Sequence, residues 1–225
     1  MAGYLVKAGH EVCVYNRTAE KAAKWVQQHG GTSASTPSEA AKGAKIVFTC
    51  VGNDDDLRQV VNGEQGAFRG MERGTLLVDH TTTSAIVARE LASVGASLGV
   101  GFVDAPISGG QSGAENGILT VMCGGDQANY DRSVKRLGEV GSGQLTKMVN
   151  QICVAGVVQS LAEAIHFAQR AGLDPLSVIE VISKGAAQSW QMENRHKTMV
   201  ADEFEFGFAV DWMRKDLGIV LNEAR

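Results

Sequence analysis

Lys45-Ile46-Val47-Phe48-Thr49-Cys50-Val51-Gly52-Asn53-Asp54-Asp55-Asp56 decides the fold. Its first seven residues form a largely apolar, β-branched run, the pattern of a strand covered on both faces; a glycine turn and an acidic helix start follow. A doubly covered strand leading into a helix is the repeating unit of a parallel sheet. The unit recurs on either side. Strands are expected at Glu11 to Tyr15, Lys45 to Val51, Thr75 to Asp79, Gly101 to Asp104 and Ile118 to Cys123, with helical patterns between them. Thr36-Pro37-Ser38-Glu39 is a capping box with proline at the first helical position, so a helix should begin there and close at Gly43.

The pattern changes at Gln144. No further strand-like run bounded by turns appears, and the apolar spacing predicts one long helix from about Gln144 to Ala171, stopped at Gly172, with Asp174-Pro175 opening the next. The fold class is therefore α/β: a Rossmann-like, doubly wound parallel sheet over residues 1–143, then an all-helical domain over 144–225. The boundary lies at Gly141-Ser142-Gly143. Met1 to Gly9 reads as the end of a first helix, so the opening strand and glycine-rich turn of such a sheet are expected to be missing. Between Gly125 and Gly141 the chain is also too short for a crossover helix and a returning strand.

Composition excludes several functions. The 225 residues are 44% hydrophobic and 20% charged with 3 prolines, as in an ordinary globular protein. The net charge is −4 and the 21 basic residues are scattered, so nucleic acid is not an expected partner. The longest apolar stretch, near Ile152 to Ile165, is broken by Gln159, Ser160 and Glu163, so no membrane span is expected, and Met1 opens no cationic-then-apolar leader. Four cysteines stand far apart without a C-x-x-C pair, which points to a reduced, cytoplasmic setting. The five histidines have no metal spacing, so no metal is expected.

Five stretches could carry chemistry. Asn16-Arg17-Thr18 follows the Glu11 to Tyr15 strand, where a dinucleotide-binding sheet meets the adenosine ribose. An acid there binds a free 2′-hydroxyl, whereas a guanidinium suits a 2′-phosphate, which would make NADP preferred over NAD; a solvated turn with a helix cap at Thr18 is the alternative. Cys50 to Asp56, with Val51 and Asn53, ends a buried strand on the side where such sheets bind ligands, although three aspartates also suit a helix's first turn. In Asp104 to Ala114, Ser108, Gly109 and Gly110 could cradle a carboxylate, or form a plain flexible loop. Lys147, Asn150 and Gln151 share one face of a buried helix; desolvation there would lower the lysine pKa towards the range of general acid/base work, unless the side chain snorkels to solvent. Phe208 to Leu217 is an amphipathic helix by default, and His80 is a second acid/base candidate at a strand end.

Taken in order, these stretches resemble the β-hydroxyacid dehydrogenase family, which includes 3-hydroxyisobutyrate dehydrogenase and the small semialdehyde reductases. Asp104 to Gly113 resembles its D-A-P-x-S-G-G substrate motif, Gly141 to Asn150 its G-x-G-x-x-x-K-x-x-N catalytic motif, and Lys215-Asp216-Leu217 its K-D-L segment. The resemblance implies an NAD(P)-dependent oxidoreductase that moves a hydride between nicotinamide and a small hydroxy acid or semialdehyde. By that resemblance Lys147 is the acid/base, Ser108, Gly109 and Gly110 hold the substrate carboxylate, Asn150 orients the substrate, Thr81 contacts the nicotinamide ribose and Lys215 reaches the cofactor. The related 6-phosphogluconate dehydrogenases carry a His where this chain has Val149, which argues against a phosphosugar substrate. A non-catalytic scaffold homologue would be expected to lack Lys147, as would an imine reductase-like relative. A long helix apolar on many faces is expected to make a homodimer or homotetramer.

Overall fold

The chain enters through a short helix, α1 (Ala2–Lys7), and then alternates strands with helices: β1 (Cys13–Val14), α2 (Ala19–His29), β2 (Thr32–Ser33), α3 (Pro37–Ala41), β3 (Ile46–Thr49), α4 (Asp54–Asn62), β4 (Leu76–Asp79), α5 (Ala85–Leu98) and β5 (Gly101–Asp104). The computed structural model describes residues 1–126, 137–205 and 207–225. It divides into two units, Met1–Lys147 and Met148–Arg225. The division falls inside a helix, a few residues beyond the glycines at 141 and 143.

In the first unit β3, β4 and β5 pair in parallel, Thr49 opposite Asp79 and Asp79 opposite Asp104, so three strands end at one level. One face of this sheet is closed by α4 and α5: Leu57, Val61, Val87, Ala88 and Leu91 pack with Leu77, Phe102, Val100 and Phe68 into the main buried cluster. Each of the valine, leucine and phenylalanine side chains contributes roughly 1.5–3 kcal/mol by leaving water. Local chemistry starts the helices. Thr36 Oγ1 accepts from the Glu39 N–H at 3.1 Å, Asn53 Oδ1 from the Asp56 N–H at 2.8 Å, and Ser84 Oγ from the Val87 N–H at 3.2 Å. α3 ends at Ala41 with Lys42 as its cap, just short of the expected Gly43.

The expected α/β class stands, with β1 and β2 as a parallel pair of their own and β3 as an edge strand of the larger sheet, Phe48 46% exposed. One expectation is corrected: the run from Ile118 to Cys123 is not one parallel strand. Ala105-Pro106 turns the chain after β5 because proline cannot donate to a ladder. β6 (Ile107–Ser108) then leads into a short α6 (Gly110–Asn116), and β7 (Thr120–Val121) returns antiparallel to β6. β8 (Gly124–Gly125) adds to β5, also antiparallel. The expected shortfall of residues between Gly125 and Gly141 falls mostly on 127–136, outside the described residues.

α7 (Ser142–Arg170) is the long helix expected from the apolar spacing. Among the described residues it is also the one helix long and apolar enough, by length and composition, to cross a membrane. That differs from the expectation of no such stretch, because Gln159, Ser160 and Glu163 are too few to offset the apolar residues around them. In the second unit α7 is followed by α8 (Pro175–Ile182), α9 (Trp190–Val200) and α10 (Val210–Glu223). Leu161 and Ile165 of α7 pack with Ile179 of α8 and Met192 of α9 as its core.

Candidate functional site

The carboxyl ends of the parallel strands gather most of the candidate residues of the first unit. After β1, Asn16 Oδ1 accepts from the Thr18 N–H at 2.9 Å, which shapes the turn, and Thr18 stands at the start of α2 without a side-chain cap bond. Arg17 is 82% exposed, and its guanidinium meets Asp56 of α4 at 3.2 Å. Each of the three aspartates has a separate task. Asp54 accepts from the Ser84 N–H at 3.0 Å and its hydroxyl at 2.5 Å, which ties α4 to the start of α5; Asp55 pairs with Arg58; Asp56 holds Arg17. Among the described residues no cluster of His, Cys, Asp or Glu could hold a metal ion. Asn53 spends its side chain on the α4 cap, donating to Asp56 Oδ2 at 3.2 Å as well.

The ends of β3 and β4 are joined by a buried hydroxyl network. Thr81 donates to Asp79 Oδ1 at 2.6 Å and accepts from the Val51 N–H at 3.0 Å, while Thr49 donates to the same Asp79 oxygen at 2.8 Å. Thr81 is 1% exposed, and its hydroxyl is engaged within the protein. Burial pushes the Asp79 carboxyl up to about 6, with the Thr81 and Thr49 bonds opposing, and Asp79 Oδ2 has no partner among the described residues. His80, next along, donates from Nδ1 to the Ala105 carbonyl at 2.7 Å and stacks on Phe48; burial lowers its pKa, with the Ala105 bond opposing.

Asp104, at the end of β5, organises the rest of this unit. Its carboxylate is fully buried and accepts from the Gly141 N–H at 2.8 Å and the Gln144 N–H at 3.0 Å, so it caps the start of α7. Burial raises its pKa while these N–H bonds pull it back. The glycines around it are required by space: a Cβ on Gly143 would lie 2.4 Å from the Met122 oxygen, and one on Gly124 would lie 2.7 Å from Asp104 Oδ1. Four residues beyond Asp104, Ser108 is half-buried in β6, and Gly109 and Gly110 follow, exposed, at φ of 130° and 62°. On α7, Lys147 is 7% exposed. Gln144 is fully buried, donating from Nε2 to the Thr81 carbonyl at 2.8 Å and accepting at Oε1 from the Thr83 N–H at 3.1 Å. Asp104 heads its sequence motif, but its role as the cap of α7 and the role of Gln144 are not given by local spacing. A signal was nonetheless present for Gln144, since a glutamine stands at the start of a run otherwise expected to be buried.

In the second unit Asn150 Nδ2 donates to Gln151 Oε1 at 2.8 Å, and Gln151 Nε2 donates to Asp216 Oδ2 at 2.5 Å. Asp216, buried on α10, also pairs with Lys215 Nζ at 2.9 Å. Asn150 and Lys215 are thus linked through Gln151 and Asp216, neither of which the sequence motifs give a role.

Known proteins resemble this chain over its whole length. Residues 1–157 match the family described as the NAD binding domain of 6-phosphogluconate dehydrogenase, and residues 141–225 the one described as NAD-binding of NADP-dependent 3-hydroxyisobutyrate dehydrogenase. The whole chain is 66% identical, over 235 aligned positions, to an uncharacterized oxidoreductase of Shewanella frigidimarina, covering 81% of that protein. It is 32% identical to 2-hydroxy-3-oxopropionate reductase of Escherichia coli, covering 80% of it. The crystal structure of 3-hydroxyisobutyrate dehydrogenase from Salmonella typhimurium superposes with a TM-score of 0.86 at 29% identity, over 99% of this chain and 81% of that one.

Proposed function

Since this chain belongs to the β-hydroxyacid dehydrogenase family of NAD(P)-dependent oxidoreductases, we propose that it interconverts a small 3-hydroxy acid and its semialdehyde, as the 3-hydroxyisobutyrate dehydrogenase and 2-hydroxy-3-oxopropionate reductase among its relatives do by name. One observation carries this reading. The Ser108-Gly109-Gly110 loop and the helix of Lys147 both spring from Asp104, so a carboxylate binder and a proton donor are built on one buried group.

Nicotinamide, when bound, supplies the carbon that takes or gives the hydride. The exposed Arg17 suits a cofactor phosphate, and NADP(H) is our preferred cofactor over NAD(H). In the oxidation direction Lys147 Nζ would take the proton of the substrate hydroxyl, and in the reduction direction it would return that proton to the carbonyl oxygen. Ser108 and the open backbone at Gly109 and Gly110 hold the substrate carboxylate, Asn150 orients the substrate oxygen, and Lys215 serves the cofactor. Val51, Asn53, Asn16, Thr18 and Thr81 shape the strand ends on the cofactor side. The setting we propose is cytoplasmic, since Cys13, Cys50 and Cys153 are exposed thiols, and neither nucleic acid nor a membrane enters the proposal.

The test is a panel of small hydroxy acids and semialdehydes with both cofactors, followed by the absorbance of the reduced nicotinamide. Turnover confined to substrates without a carboxylate would overturn the proposal. Ser108→Ala should chiefly raise KM for the carboxylate substrate, because it removes a contact made equally in ground and transition states. An unchanged KM with weakened cofactor binding would place Ser108 elsewhere.

A further inference from the structure

We propose that Gln144 and Asp104 are positioning residues for Lys147, bolting the first turn of its helix to the ends of two strands. The proposal rests on the reading of Lys147 as the proton-transfer residue. A lysine reaches its target through four rotatable side-chain bonds, so where its ammonium arrives depends on how firmly its own turn of helix is held. The first N–H groups of a helix have no partner within it and must find acceptors elsewhere. Here the Gly141 and Gln144 N–H groups both find the Asp104 carboxylate, a charge-assisted contact at the positive end of α7.

Gln144 adds a second anchor in a different direction. Its amide donates to the Thr81 carbonyl and accepts from the Thr83 N–H, so it reads the loop after β4 with both ends of one planar group. Leucine or methionine would fill the same buried volume without needing any partner. A fully satisfied polar group at this position therefore specifies geometry more than it adds to packing. Lys147 stands three residues on, and Thr81 of the same loop is the residue that joins β3 to β4 through Val51 and Asp79. The acid/base side chain and the cofactor-side strand ends are thereby held in one hydrogen-bonded frame.

The effect to measure is a loss of turnover that depends on Lys147. In the full chain, Gln144→Met should lower kcat for 3-hydroxyisobutyrate oxidation with NADP⁺ by about 10- to 100-fold, as misplacement of a reacting group by an ångström does. KM for substrate and for cofactor should each stay within about threefold, since binding groups are untouched. Gln144→Asn keeps a neutral amide but draws it back by one methylene from the Thr81 carbonyl and the Thr83 N–H, so it should lower kcat in the same direction, and it decides the matter if the methionine variant does not fold. The deciding comparison is the double variant of Gln144→Met with Lys147→Ala. A residue acting only through Lys147 adds nothing once the lysine is gone, so the double variant should turn over as slowly as Lys147→Ala alone. Asp104→Asn should lower kcat likewise and, because the Ser108 loop starts from the same residue, should also raise KM for the carboxylate substrate. Losses that multiply, or wild-type kcat in Gln144→Met, would overturn the positioning role while leaving Lys147 in place. Retained turnover in Lys147→Ala would instead overturn the reading of the lysine, and the inference with it.

Discussion

Asp56 holds the guanidinium of Arg17 in an exposed pair of the kind that contributes at most about 1 kcal/mol, and a cofactor phosphate at Arg17 would have to share it. A charge-assisted contact to phosphate contributes roughly 1.5–3 kcal/mol, about ten- to hundredfold in affinity, so the phosphate should win with a reduced margin. Arg17→Asp should move the kcat/KM ratio towards NAD(H), and Asp56→Asn should move it severalfold the other way. Ratios unchanged in both variants would detach Arg17 from the ribose. Asp79 makes a different prediction. Its carboxyl is pushed up from an ordinary 3.8 to about 6 in the folded protein. Between those values the folded state keeps a proton that the unfolded state has released, so stability falls as pH rises through that window and the penalty persists above it. A tenfold change in proton affinity corresponds to about 1.4 kcal/mol, so the full penalty is on the order of 3 kcal/mol. Urea midpoints should therefore favour Asp79→Asn over the wild type increasingly from pH 4 to 7. A constant difference across that range would show that Asp79 does not titrate there.

At the scale of elements, α7 raises the question of what covers it. Val149, Ile152, Val158 and Phe167 are all exposed, Phe167 at 71%. A second copy of the chain is the covering we propose, as a homodimer or homotetramer, and light scattering on the full chain should give a mass of two or four protomers. A stable monomer would contradict it. The same helix shows what the sequence made legible. Apolar spacing unbroken by turns from Gln144, and glycine at 172, marked its two ends to within two residues. β3, β4 and β5 were equally plain because each is written as a short apolar, β-branched run bounded by turn residues. The antiparallel pieces were not, because β6, β7 and β8 are two residues each, too short for any periodicity, and follow from the proline turn after β5.

Across the whole molecule, the candidate site was legible where chemistry sits in a motif and illegible where it depends on two segments meeting. Ser108, Gly109, Gly110 and Lys147 were named from local spacing. Asp104 was in view as the first letter of its motif, but its bonds to Gly141 and Gln144 span residues some forty apart, and nothing in either segment announces the other. Gln151 and Asp216 meet over a longer separation still. The crowding around Asp104 has one more consequence, for how this protein can change over generations. Gly124 and Gly143 each press on Asp104 and on main-chain atoms, so the three positions are mutually dependent and no single step of substitution leaves the other two undisturbed. Among the described residues, Gly156 and Gly218, inside α7 and α10, have nothing within 4 Å of an added Cβ. Alanine at either should raise stability by about 0.5–1 kcal/mol through helix propensity, whereas alanine at 143 should abolish soluble expression. In a library of glycine replacements sorted for folded protein, the first pair should be invariant and the second should drift, and alanine recovered freely at 143 would mean that the cap on the lysine's helix is dispensable.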